Sequence, residues 1–114
     1  MSYKLFLDDL RMPSFIYPET KDEDWVIARD VDEFKRIILK NGIPSFVSFD
    51  NDLGEYEDGT LKLEGKDAAK WLTYTMMFDI SNMDFKVHSS NTGGPREDIA
   101  AWINNWKKVL KDGK

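Results

Sequence analysis

Short apolar runs and amphipathic stretches alternate along the chain in a regular order. Lys4 to Leu7 is an apolar run closed by Asp8 and Asp9, and Trp25 to Ala28 is a second, reached through the proline-punctuated stretch Met12 to Asp24. Both read as strands, with no clear helix between them. Asp30 followed by Glu33 has the form of a capping box, and Val31, Phe34, Ile37 and Ile38 recur at helical spacing until Asn41-Gly42. Phe46 to Phe49 predicts a third strand between Pro44 and Asp50, and Asp58-Gly59 predicts a hairpin turn. A second helix is expected from Gly65 to near Asp79, with Ala68, Ala69, Leu72 and Met76 on one face. Phe85 to Val87 predicts the fourth strand. Beyond Pro95, the stripe Ile99, Trp102, Ile103, Trp106, Val109 and Leu110 predicts the last helix.

Four short apolar strands with helices between the later ones imply an α/β sandwich: a mostly parallel four-stranded sheet with about three helices, joined by right-handed crossovers and covered on both faces. No repeat or linker interrupts the 114 residues, which make one domain, 1–114. In such sheets ligands bind where loops leave the carboxyl ends of the strands, beside the point at which strand order reverses.

Composition narrows the chemistry. The chain has no cysteine and one histidine, so zinc fingers, iron-sulfur clusters, thiol nucleophiles and Cys/His zinc centres are excluded, and any metal must be held by oxygen. No apolar run reaches the roughly 20 residues that span a bilayer, and Met-Ser-Tyr-Lys does not begin a signal peptide, so a cytoplasmic location without membrane contact is expected. A net charge of −5 without a basic block speaks against extended duplex nucleic acid, though not against a nucleotide or an RNA end.

Three predicted strands end in polar clusters: Asp8-Asp9-Leu10-Arg11, Asp50-Asn51-Asp52-Leu53-Gly54 and His88-Ser89-Ser90-Asn91. In a parallel sheet Asp8, Asp9, Asp50, Asp52 and His88 all emerge at one edge. Converging carboxylates repel unless a cation or shared proton relieves them, and Mg2+ or Mn2+ is the simplest relief. An aspartate after a strand often just starts a turn, but two pairs with a histidine at matching places favour a site. His88, with an ordinary pKa near 6.5, suits proton transfer. Ser89, Ser90, Asn91 and the backbone around Gly94 offer donors to an anion, and Arg11 and Arg96 are the nearest cationic clamps for phosphate. The tryptophans read as packing residues. The acidic stretch Glu55 to Asp58 is not a calcium loop, because Gly54 and Leu61 stand where ligands should be.

With these residues the sequence resembles the cyclic-phosphate-processing receiver domain family, divergent relatives of two-component response-regulator receivers. The resemblance rests on Leu7-Asp8-Asp9 with Arg11 and Pro13, on Ser48-Phe49-Asp50-Asn51-Asp52-Leu53-Gly54, on Gly65 with Ala69, and on His88-Ser89-Ser90-Asn91 with Gly94. It implies a receiver-like (flavodoxin-like) three-layer fold, with Asp8, Asp9 and Asp50 in the positions that hold magnesium and accept a phosphoryl group in ordinary receivers. Departures from receivers are a missing fifth strand with its lysine, a missing first helix, and the extra pair His88 and Asn91.

The leading expectation is a metal-dependent phosphoesterase acting on cyclic phosphates, either RNA 2′,3′-cyclic ends or cyclic nucleotides. Asp8, Asp9, Asp50 and Asp52 would bind the cation or orient water, His88 would move a proton, and Arg11, Ser89, Ser90, Asn91, Gly94 and Arg96 would hold phosphate oxygens. The alternative is a non-catalytic receiver-like module that binds Mg2+, takes a phosphoryl group at Asp50 and regulates a protein partner. A phosphatase of the haloacid-dehalogenase type ranks last, because its aspartate pair follows the first strand. A small adaptor that blocks a partner protein leaves no signature to read.

Overall fold

The structure is a computed structural model that describes residues 2–50, 53, 63–88 and 94–113, with the backbone alone for 94–97. The four apolar runs form strands β1 (Lys4–Leu7), β2 (Trp25–Ala28), β3 (Phe46–Phe49) and β4 (Asp84–Val87). They make one sheet in the order β2-β1-β3-β4, with every pairing parallel. Leu7 stands level with Ala28 and Phe49, and Phe49 with Val87. The next residue of each site-bearing strand extends the ladder by one bond. Asp8 N–H donates to Ala28 O at 3.1 Å, Asp50 N–H to Leu7 O at 2.9 Å and His88 N–H to Phe49 O at 2.9 Å. These hydrogen bonds fix Asp8, Asp50 and His88 at one edge before any side chain is considered. Strand order reverses between β1 and β3, so Asp8 and Asp50 flank the switch point where ligands bind in such sheets.

The helices are α1 (Pro13–Ile16), α2 (Val31–Asn41), α3 (Gly65–Lys70) and α4 (Gly94–Asp112), with a 3-10 turn at Asp22–Asp24. Helix α1 lies within the stretch expected to hold no clear helix. It is a single turn opened by Pro13, whose fixed φ suits a first helical position, and one turn leaves no periodicity to read. Helix α3 passes into a π-helical stretch, Trp71–Thr75, and Met77 then takes φ +53°, so regular helix stops short of the expected Asp79. No fifth strand occurs among the described residues. The Asp58-Gly59 turn lies outside them.

Alternation along the strands divides the packing. Leu5, Leu7, Ala28, Val47 and Phe49 join Val31, Phe34 and Ile38 of α2, Ala68 and Ala69 of α3, Leu72 of the π-helical stretch, and Ile99 and Ile103 of α4 in one core. Burying each of the larger side chains contributes about 1.5–3 kcal/mol. The opposite face carries a ring cluster: Trp25 meets Phe6, Tyr17 and Phe46 at centroid distances of 5.8, 5.3 and 5.8 Å. Tyr17, just past α1, thus helps cover the face that the core helices leave. The outer layers of the sandwich are unequal among the described residues. Among the same residues, no helix is long and apolar enough to cross a membrane.

Both ends of α2 follow the sequence. Asp30 accepts from Glu33 N–H at 2.8 Å, while the Glu33 carboxylate accepts from Arg29 N–H at 3.3 Å, one residue earlier than in a regular capping box. Gly42 closes the helix at φ +86° and ψ −174°, a region open essentially to glycine, with its N–H donating to Ile38 O at 2.8 Å. A Cβ there would meet nothing within 4 Å, so the penalty of a side chain is purely conformational. Gly42→Ala is therefore expected to destabilise the fold by about 1–3 kcal/mol, read from urea unfolding.

Candidate functional site

Asp8 is the centre of the site. Its side chain turns back over its own loop, and Oδ1 accepts from Leu10 N–H at 3.0 Å and Arg11 N–H at 2.9 Å, the local turn that aspartate favours. Oδ2 accepts from Arg11 Nε at 2.8 Å and from His88 Nε2 at 2.9 Å. Four donors match the four lone-pair sites of an ionised carboxylate. Burial, at 1 % exposure, pushes the Asp8 pKa up, but the two amides, His88 and the Arg11 guanidinium outweigh it and hold the carboxyl below its ordinary 3.8.

His88 is held at one ring face and at both ring nitrogens. Its ring stacks on Phe6 with centroids 4.6 Å apart and planes 5° from parallel, and its Nδ1 lies 2.6 Å from Ser48 Oγ. Burial pushes the imidazole pKa below 6.5, and the neighbouring Asp8 carboxylate only partly offsets this. A neutral ring facing an ionised Asp8 carries its proton on Nε2, so Nδ1 accepts from the Ser48 hydroxyl. Ser48 Oγ in turn accepts from Tyr17 Oη at 2.7 Å. Burial raises the Tyr17 pKa, which keeps the phenol protonated and donating. The direction of the whole chain, Tyr17 to Ser48 to His88 to Asp8, follows from the charge on Asp8. Both ring nitrogens of His88 are thus engaged with protein groups, an arrangement that positions Asp8. Transfer of a proton at a substrate, the role expected from sequence, requires one of these bonds to open.

Asp50 follows β3 and is 5 % exposed, with Arg11 Nη2 3.6 Å from its Oδ2. Asp8, Asp50 and His88 each offer a ligand atom, and these atoms lie within 4.8 Å of one another. Asp9 is half-buried and lies outside this group. Asp52, Ser89, Ser90 and Asn91 fall outside the described residues, as does the Arg96 side chain, while Gly94 begins α4.

Three contributors escaped the sequence reading: Tyr17, Ser48 and Arg29. Arg29, just past β2, donates through Nη1 to the carbonyls of Asp8 at 3.1 Å and Arg11 at 2.7 Å, clamping the loop that carries the aspartate. Ser48 had a usable signal, a hydroxyl inside an apolar strand on the face opposite Val47 and Phe49. Ser48→Ala leaves the buried Nδ1 and the Tyr17 hydroxyl without this partner, and a loss of about 1–3 kcal/mol is expected in urea unfolding.

A family model described as the cyclic-phosphate processing receiver domain matches residues 3–105 of the chain. No curated protein and no solved structure matches it.

Proposed function

We propose, from the premise that the chain belongs to the cyclic-phosphate processing receiver domain family, that it is a metal-dependent phosphoesterase that opens a cyclic phosphodiester. The observation that carries the reading is the convergence of Asp8, Asp50 and His88 within 4.8 Å at the switch-point edge of the sheet. The donor set fits Mg2+ or Mn2+ in kind, because hard cations take carboxylate oxygens, and the backbones of Asp8 and Asp50 are both anchored by ladder bonds. Asp8 and Asp50 would hold the ion, joined by Asp9 and Asp52. The cation would draw charge from the phosphoryl oxygens as it builds there.

The chain's own groups do the rest. Asp50 orients the attacking water. His88 steadies Asp8 through Nε2. Arg11 binds a phosphate oxygen with its planar donor fork, alongside Arg96 and the donors of Ser89, Ser90 and Asn91. Water oxygen bonds to phosphorus and keeps one proton, one ring P–O bond breaks, and the released ribose oxygen takes the water's other proton, passed on by His88 when one of its hydrogen bonds opens, leaving a phosphomonoester.

The test is incubation with 2′,3′- and 3′,5′-cyclic nucleotides and a cyclic-ended RNA, in Mg2+, in Mn2+ and in chelator, with products separated by chromatography. Ring opening that chelator stops is expected. Intact substrate throughout the panel, with Mg2+ still bound, would favour the non-catalytic module, in which Asp50 accepts a phosphoryl group and signals to a partner.

A further inference from the structure

We infer that Arg11 is the resting site's own counter-ion, occupying the place of the divalent cation, so that cation and guanidinium exclude one another at Asp8 and Asp50. The inference rests on the metal-dependent reading above and adds a competitor to it. One guanidinium spans the two carboxylates, Nε lying 2.8 Å from Asp8 Oδ2 and Nη2 lying 3.6 Å from Asp50 Oδ2. Two buried carboxylates this close need positive charge between them, and here the chain supplies it.

A divalent cation needs lone pairs on those same oxygens. Mg2+ sits about 2.0–2.1 Å from its ligands, a shell that leaves no room for a guanidinium nitrogen on the same Asp8 Oδ2 lone pair. The four donors on Asp8 sharpen the conflict, since Oδ1 is taken by two loop amides and Oδ2 is shared by Arg11 and His88. Of these, the Arg11 side chain is the one with a way out. It is 26 % exposed, against 2 % for His88.

The Arg11 backbone stays in place when the side chain leaves. Its N–H remains on Asp8 Oδ1, and its carbonyl remains under Arg29 Nη1. A displaced guanidinium therefore swings about a fixed Cα and stays at the strand edge, where its fork meets a phosphate oxygen. Cation entry releases the phosphate clamp, which couples the two binding events.

The test is calorimetric titration of the protein with MnCl2 and no substrate, for wild type and for Arg11→Gln. The variant is expected to bind Mn2+ on the order of tenfold more tightly or better, the scale on which one neighbouring charge acts. Equal or weaker binding by Arg11→Gln, with wild type binding normally, overturns the counter-ion role and leaves the metal reading standing. Absence of binding in both proteins at millimolar Mn2+ overturns both. A measurement on wild type alone covers a variant that fails to fold: saturating Mg2+ is expected to move the Arg11 Nε–H resonance to an exposed, fast-exchanging position. A resonance that stays in place while Mg2+ binds overturns the inference.

Discussion

Asp50→Asn is expected to lower ring opening of a cyclic phosphodiester by at least about a hundredfold while the fold survives. Asparagine keeps the shape and one acceptor oxygen but removes the charge that would hold the cation and orient water. Losing one group aimed at developing charge typically costs on the order of 10²–10³ in rate. The Asp50 backbone bond to Leu7 is untouched, so the sheet edge stays intact. Steady-state turnover beside thermal unfolding of the same preparation checks both halves. Retained turnover would remove Asp50 from the mechanism, and a collapsed melting transition would move it to the scaffold.

The largest effect on stability is expected at Asp8. Asp8→Ala strips His88, Arg11 and two loop amides of their shared acceptor at a site 1 % exposed. Removing one partner of a buried charged pair costs about 3–5 kcal/mol, a large share of the 5–15 kcal/mol that usually holds a domain. The same contacts predict a pH dependence. The Asp8 pKa is depressed in the fold, so its contribution is full above the unfolded value near 3.8 and disappears as pH falls through the lower folded value. The His88 pKa is also lowered, so the unfolded chain binds a proton first as pH drops below 6.5, and stability begins to fall there. Urea midpoints from pH 8 to pH 3 should therefore decline in two stages. A flat profile through pH 6.5 would contradict a buried neutral His88.

What could be read from sequence was the part governed by chain direction. Apolar runs ending in Asp8, Asp50 and His88 needed only a parallel sheet to bring those residues to one edge, and the ladder bonds place them there. Asp30 and Gly42 likewise marked α2, because caps act locally. The supporting groups depend on distance in space. Arg29 reaches Asp8 across 21 positions, Tyr17 reaches Ser48 across 31, and Ser48 reaches His88 across 40, so no spacing announces them. The saturation of Asp8 was equally hidden, since the number of donors on one carboxylate is a property of geometry. That geometry sets Arg11 between the two carboxylates and engages both ring nitrogens of His88 with protein groups.

The most direct measurement of the central claim is phosphorus NMR of a 2′,3′-cyclic nucleotide incubated with the protein and Mg2+ in water half enriched in oxygen-18. A phosphomonoester signal split into two equal isotope-shifted lines is expected, one solvent oxygen per phosphorus. That signal should be absent in chelator and from Asp50→Asn. A cyclic phosphate that stays intact with wild-type protein and Mg2+, or a product that carries no solvent oxygen, would contradict the proposed function.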